Sequence, residues 1–279
     1  MNNEQLDVSA VICTINQEKT IAKVCRSLKN NMVGEIIIVD GRSSDRTVEI
    51  AKKFTDNIIN DTREGLANAR NIGIANAKKR YILNCGADNV MPDESVKKML
   101  SVLMKENIIG VGALTRINPN SYLTRAMNNR LEVRFVPGVT NIIGTPTLML
   151  RERLIKNPYK VSRTWSDDSE LCENWKKIYG KEFELANVVV YEIDQNFKSV
   201  YYRWKHYGIS DYENFSNNIK EWNFRRKLKS IMHPFKVDVI NVISKLSLKK
   251  IIQTLPFLIM VSFVRYYHWI AISIKSFFK

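Results

Sequence analysis

Three short segments are apolar at almost every position: Val8 to Ile12 (VSAVI), Glu35 to Val39 (EIIIV) and Tyr81 to Cys85 (YILNC). A strand with one wet face alternates apolar and polar residues. A run without alternation needs cover on both faces, as in a parallel sheet held between layers of helices. Helical spacing fills the intervals. Glu18 to Leu28 repeats at Ile21, Val24, Cys25 and Leu28, Asp45 to Phe54 follows, and Gly65 to Ala77 is rich in small residues. Asn57 to Asn60 reads as one more short strand, and Met91 to Met104 as a helix with Pro92 in its first turn. This alternation predicts an α/β fold with a doubly wound, mostly parallel sheet. Ligands of such sheets bind at the carboxyl ends of the strands, so the loops after Ile12, Val39 and Leu83 are where a site belongs.

Further along, Gly110 to Leu114 and Thr147 to Leu150 read as strands around a less regular stretch, 117–144, with arginines 116, 125, 130 and 134 in or beside it. Asp167 to Tyr179 predicts a helix capped by Ser166 or Asp167, and Val188 to Ile193 a strand. From Lys198 the pattern is wholly helical. The chain of 279 residues is 45% hydrophobic and 25% charged, which excludes a disordered protein. Cys13, Cys25, Cys85 and Cys172 form no CxxC pair, which argues against a disulfide framework or structural zinc site and for a reducing compartment. The first residues lack the pattern of a signal peptide.

Polar clusters fall at the expected loops: Thr14-Ile15-Asn16, then Asp40-Gly41-Arg42-Ser43-Ser44-Asp45, then Gly86-Ala87-Asp88-Asn89, and Asp167-Asp168-Ser169-Glu170 at a helix start. An aspartate at a strand's carboxyl end can accept from a base imide or a ribose hydroxyl. Asp88 beside Asn89 offers hard oxygens to a divalent cation, which would neutralise a diphosphate, as would Arg70. Asp168 can serve as general base on an acceptor hydroxyl. Singly, each has a structural reading as a turn or a helix cap. Jointly they compose a site for transfer from a nucleotide-activated donor.

The order VSAVICTIN, IIIVDGRSSDRT, GLANARNIGIANA, YILNCGADNVMP and SDDSEL resembles the family 2 glycosyltransferases, over roughly residues 7–195. The resemblance implies a GT-A fold, with a Rossmann-like half that binds a nucleotide sugar, and inversion at the anomeric carbon. By the same resemblance Thr14 and Asn16 line the nucleotide pocket with Glu18 nearby, and Asp40 contacts the base. Ser43 and Asp45 hold the loop and cap the helix, and Arg70 approaches the donor phosphates. Asp88 matches the second aspartate of the family's DxD motif and is the expected ligand of Mn²⁺ or Mg²⁺, with Asn89 as a carbonyl ligand. Asp168 matches the catalytic base of the ED motif. Asp167 stands where the family has glutamate, and Glu170 orients the helix or the acceptor. One departure is plain: Gly86 occupies the place of the first DxD aspartate. It keeps a second reading open, a catalytically impaired relative that binds nucleotide sugar or serves as a basic membrane or nucleic-acid binding module.

The net charge is +15, and residues 198–279 carry most of it, with 15 Lys and Arg against 4 Asp and Glu. This third is therefore expected to be a separate helical, membrane-associating extension following a catalytic domain of residues 1–197. Its first segment, Tyr201 to Gly208, clusters aromatics and cations, so Arg203, Trp204 or His206 can be donor, acceptor or metal contacts, or members of an amphipathic helix. Ile251 to Ile274 contains one formal charge, Arg265. It is long enough to cross a bilayer, yet a charge near its middle is costly there, and two helices lying in the interface fit equally. The expected partners are a nucleotide-sugar donor, a lipid-linked or glycan acceptor and an anionic membrane surface rather than nucleic acid. The expected location is the cytoplasmic face of the cell membrane.

Overall fold

A computed structural model describes residues 4–161 and 167–277; Ser166, the alternative cap, and Trp165 lie outside them. The chain divides into two compact units, 1–116 with 135–194, and 117–134 with 195–279. The second unit thus includes a segment that a boundary after residue 197 leaves with the first.

The first unit is built on a mixed sheet. Its strands are β1 (Leu6–Thr14), β2 (Val33–Asp40), β3 (Ile58–Asn60), β4 (Tyr81–Gly86), β5 (Asn89–Val90), β6 (Ile108–Ile117), β7 (Gly138–Thr140), β8 (Thr147–Leu150) and β9 (Glu182–Glu192), in the order β3-β2-β1-β4-β8-β6-β9-β5, with β7 beside β9. The pairs among β1 to β4 are parallel, whereas β8 runs antiparallel to both β4 and β6, and β9 to both β5 and β7. The parallel half is the one whose strands are apolar runs. Side chains alternate across the sheet, so Val8, Ala10 and Ile12 enter one core while Val11 enters the other, and Ile36 and Ile38 part from Ile37 and Val39 in the same way. The first core is closed by α1 (Ile21–Asn30), α2 (Thr47–Ala51) and α4 (Ser95–Leu103). The second is closed by α3 (Leu66–Asn76), α6 (Arg151–Lys156) and α7 (Asp167–Tyr179), with Trp175 and Phe183 buried in it. The small residues of α3 let it approach the sheet closely: a Cβ on Gly73 would lie 2.3 Å from Val11 Cγ1.

The second unit is helical, formed by α5 (Tyr122–Arg134), α8 (Phe197–Asn218), α9 (Phe224–Phe235), a π-helical turn (Lys236–Ile240), α10 (Asn241–Ile243) and α11 (Leu248–Phe277). Pro234 ends the regular hydrogen bonding of α9, and the π turn that follows buries Asp238 completely. There Asp238 accepts from Arg130 at 2.6 Å and from Arg265 at 2.7 Å, and Arg265 also donates to both oxygens of Asp211. The charge that disfavoured a membrane span is therefore satisfied inside the protein. Gly208 marks the close approach of α8 to α11, since a Cβ there would sit 2.2 Å from the Arg265 carbonyl oxygen.

Candidate active site

A cavity of about 550 Å³ opens at the carboxyl ends of β1, β2 and β4, lined by Cys13, Thr14, Gln17, Val39, Asp61, Arg63, Leu66 and Asp88 among others. Its position is the one the strand order dictates. Two oxygens on its walls, Thr14 Oγ1 and Asp61 Oδ1, are buried without a hydrogen-bond partner among the described residues. An orphaned buried acceptor or donor is expensive unless a ligand meets it.

The loops around the cavity are stitched together by several of the residues singled out in the sequence. Both oxygens of Asp40 are occupied, accepting from Ser43 N at 2.8 Å and from Ser43 Oγ at 2.6 Å. Asn16 N donates to Ser43 Oγ and its amide oxygen accepts from Ser44 N. Glu18 Oε2 accepts from Arg46 N, while Asp45 accepts from Glu18 N and Thr47 N, and the bonds from Thr47 hold its carboxyl below the usual range despite desolvation. These bonds fasten the loop after β1 to the loop after β2. Asn16, Glu18 and Asp40 are therefore absent from the cavity's described walls, and Ser43 and Asp45 hold the loop.

Asp88 reaches the cavity from the tight turn between β4 and β5. Asn89 does not: it is 2% exposed, and its amide oxygen accepts from Gly86 N at 2.9 Å, so it pins the turn. The same folding explains the glycine. A Cβ at position 86 would lie 2.7 Å from Asn89 Oδ1 and 2.8 Å from Asp88 Oδ1, so an aspartate there would require both side chains to shift. Among the described residues no three His, Cys, Asp or Glu side chains gather as a metal cage. Of the two carboxylates on the cavity wall, Asp88 still suits a Mg²⁺-like ion, which is commonly held by one or two carboxylates together with substrate phosphates.

The second cluster lies where α3 meets the first turn of α7. Arg70 Nη1 donates to Asp167 Oδ2 at 2.5 Å and to Asp168 Oδ1 at 2.7 Å, and its guanidinium sits 5.1 Å from the centre of the Tyr159 ring. The carboxylates are favoured by the helix N-terminus as well as by Arg70. The Arg70 and Asp167 side chains are each 6% exposed and Asp168 is 24% exposed. Burial pushes Asp168 up to about 6; Arg70 opposes this and the neighbouring Asp167 adds to it. Arg70 is held firmly protonated, because the two carboxylates outweigh its own burial. Arg70 thus engages carboxylates in this structure. Cys13 lines the cavity, and burial pushes its thiol up to about 12, with the charge of Arg70 opposing and those of Asp61 and Asp167 adding. Glu170 pairs with Lys160 at 3.2 Å.

Sequence reasoning missed Asp61 and Arg63. Arg63, at φ 64°, donates to the Gly41 carbonyl oxygen at 2.9 Å and so braces the cavity rim. Asp61 follows β3 directly, so the carboxyl-end rule applied to that strand finds it.

The α8 candidates belong to the second unit. Trp204 is 1% exposed, packed on Phe257 and Tyr207 beneath the Arg130 guanidinium, and is a core residue rather than a ligand contact. His206 bonds the Tyr202 carbonyl oxygen through Nδ1, and burial lowers its pKa. Arg203 donates to Gln195. None of the three belongs to a metal-ligating group among the described residues.

Residues 9–166 match the family described as glycosyl transferase family 2, more than half of the chain. The chain belongs to that family. Its fold is shared with solved glycosyltransferases. It is 27% identical over 169 residues to the Escherichia coli UDP-Glc:alpha-D-GlcNAc-diphosphoundecaprenol beta-1,3-glucosyltransferase WfgD, which covers 58% of this chain and 66% of WfgD. A Rickettsia typhi glycosyltransferase is 32% identical over 87 residues, 31% of this chain and 30% of that one. The chain thus spans less than two thirds of these relatives. The mannosyltransferase PcManGT of Pyrobaculum calidifontis, solved with GDP-Man and Mn²⁺, superposes with a TM-score of 0.65 over 97% of this chain and 87% of its own, at 15% identity. Glucosyl-3-phosphoglycerate synthase of Mycobacterium tuberculosis, solved with Mn²⁺, UDP and its product, gives 0.53 over 69% and 74% of the two chains, at 18% identity.

Proposed function

We propose that this glycosyltransferase moves a sugar, with inversion, from a nucleoside-diphosphate donor to an acceptor hydroxyl or lipid phosphate, in lipid-linked glycan or cell-surface polysaccharide synthesis. The reaction takes place at the cytoplasmic face of the membrane, and no nucleic acid takes part. The observation that carries the reading is the cavity at the strand ends bearing Asp88 and two orphaned oxygens, in the unit that also holds the Arg70–Asp168 pair. The WfgD likeness supports a lipid-diphosphate acceptor and UDP-glucose as the first donor to try.

The donor nucleotide occupies the cavity, where Thr14 Oγ1 and Asp61 Oδ1 gain the hydrogen bonds they lack. Asp88 would hold a divalent cation, which would neutralise the diphosphate. Asp168 Oδ1 is taken by Arg70, and Oδ2 receives the proton of the acceptor hydroxyl as that oxygen attacks the anomeric carbon. The bond to the diphosphate breaks on the opposite face. With a pKa near 6, Asp168 is ionised at neutral pH yet a better base than an ordinary carboxylate. One base suffices, because no covalent enzyme intermediate forms.

The test is calorimetric titration of UDP, GDP and their sugars with and without Mn²⁺, followed by transfer assays with Asp168→Asn. Binding of one nucleotide with transfer lost in the variant is the expected result. Donor binding without turnover by the unmutated chain would favour the impaired relative, for which Gly86 in the place of the first DxD aspartate is the supporting observation.

A further inference from the structure

Two helices of the second unit leave large apolar side chains in water. On α11 these are Leu248, Ile252, Ile259, Phe263, Tyr267, Ile270 and Ile274, with Leu248 at 74% and Phe263 at 71% exposure. At 3.6 residues per turn they fall within about 100° of arc, a single stripe running for roughly 39 Å. The buried residues of α11, among them Thr254, Phe257, Val261 and Arg265, point the other way. On α9, Phe224, Leu228, Ile231, Met232 and Phe235 form a second stripe of similar width, with Phe224 at 78% exposure. Arg225, Lys227 and Lys229 lie off its apolar face. The stripes adjoin: Tyr266 of α11 donates to the Ile231 carbonyl oxygen at 2.7 Å and accepts from Phe235 N, placing the end of α9 beside Phe263 and Tyr267.

By length and composition alone α11 can cross a bilayer. Its packing says otherwise. The side opposite the stripe is taken by α8, which carries Asp211 against Arg265 and is rich in charged residues elsewhere along its length. Such a neighbour does not enter hydrocarbon. We propose that α9 and α11 lie flat in the interface of an anionic membrane, their joined stripes in the acyl boundary and the α9 cations against lipid phosphates, and that α11 does not span. Charge complementarity selects the occupant: an apolar face edged by cations fits an anionic lipid surface. The inference builds on the proposed membrane location, but its test needs no sugar transfer.

The full chain is sedimented with vesicles of phosphatidylcholine alone and of phosphatidylcholine mixed with phosphatidylglycerol, at rising salt. Binding to the anionic vesicles that weakens with salt is expected. Phe224→Ser with Phe263→Ser should weaken it at least about tenfold. Arg225→Gln, Lys227→Gln and Lys229→Gln together should do the same while leaving packed residues untouched, so the idea stays testable should the first variant misfold. Carbonate washing of native membranes should release the protein. Retention after carbonate would show a span and overturn the flat placement. A dimer in solution that ignores both vesicle types would show that a second copy covers the stripe, and would overturn the lipid assignment.

Discussion

Replacing Asp238 with asparagine isolates the ion network that holds the second unit together. Asp238 is 0% exposed, and Arg130 and Arg265, which it bridges, have side chains only 7% and 8% exposed. Arg134 lies 3.8 Å away. Two carboxylates, Asp238 and Asp211, thus face three guanidinium groups, and burial with the charge of Arg130 already pushes Arg134 down to about 10. Asp238→Asn removes one of the two negative charges and turns an amide N–H toward donors that need acceptors. Breaking a buried pair in this way costs about 3–5 kcal/mol, against a total stability on the order of 5–15 kcal/mol. Asp211→Asn should cost less, because Asp211 is 19% exposed and Arg265 keeps Asp238. Urea unfolding followed by tryptophan fluorescence is the assay, since Trp204 lies 5.1 Å below Arg130. The network gives an independent acid signature. Although burial raises it, Arg130 and Arg265 bring Asp238 down to about 2, so its contribution is complete above pH 4 and is lost as pH falls toward 2. The loss over that window is about 2 kcal/mol, and Asp238→Asn should flatten it. A destabilisation below about 1 kcal/mol with an unchanged acid slope would refute the reasoning, because the guanidinium groups would then be solvated rather than buried.

Three further outcomes follow from the first unit. With Asp168 near 6, kcat/KM should fall as pH drops below 6, and Asp168→Asn should lower the rate about 10²–10⁴-fold, both read by initial-rate transfer assays across pH. Gly86→Asp, which restores the family's DxD pattern, should destabilise by roughly 1–3 kcal/mol in thermal unfolding and should not improve Mn²⁺-dependent nucleotide binding, because Asp88 and Asn89 occupy the space. Asp61→Ala should leave the melting temperature nearly unchanged while weakening nucleotide binding about tenfold in calorimetry, since Asp61 Oδ1 has no partner to lose in the protein itself.

The parallel half of the sheet was legible because its strands are buried on both faces, and that requirement writes itself into VSAVI, EIIIV and YILNC. The helix Tyr122–Arg134 was not. Its buried residues include Thr124 and Arg130, so its apolar stripe is interrupted by a charge whose partner, Asp238, lies 108 positions away. Strands β5 and β7, of two and three residues, carry too few side chains for any period to show. The site divides in the same manner. Loop positions after strands follow from topology, and Thr14 and Asp88 do reach the cavity. Whether an aspartate faces a ligand or clasps its own loop depends on hydrogen bonds that the motif does not display, and Ser43 claims both oxygens of Asp40. The pairing of Arg70 with Asp167 and Asp168 spans nearly 100 residues and is decided by where α3 and α7 meet.

The discontinuity of the second unit bears on how the chain is made. Arg130 leaves the ribosome 108 residues ahead of the carboxylate that neutralises it, and Asn129 precedes its partner Thr254 by 125. At about 5–20 residues per second, helix α5 waits roughly 5–20 s for Asp238 to be synthesised. Throughout that interval helix α5 lacks the partners that Arg130 and Asn129 meet later. The nascent chain therefore passes through a stage in which the first unit is complete in sequence while α5 still waits for Asp238. That segment, rather than the first unit, is the one a chaperone would meet.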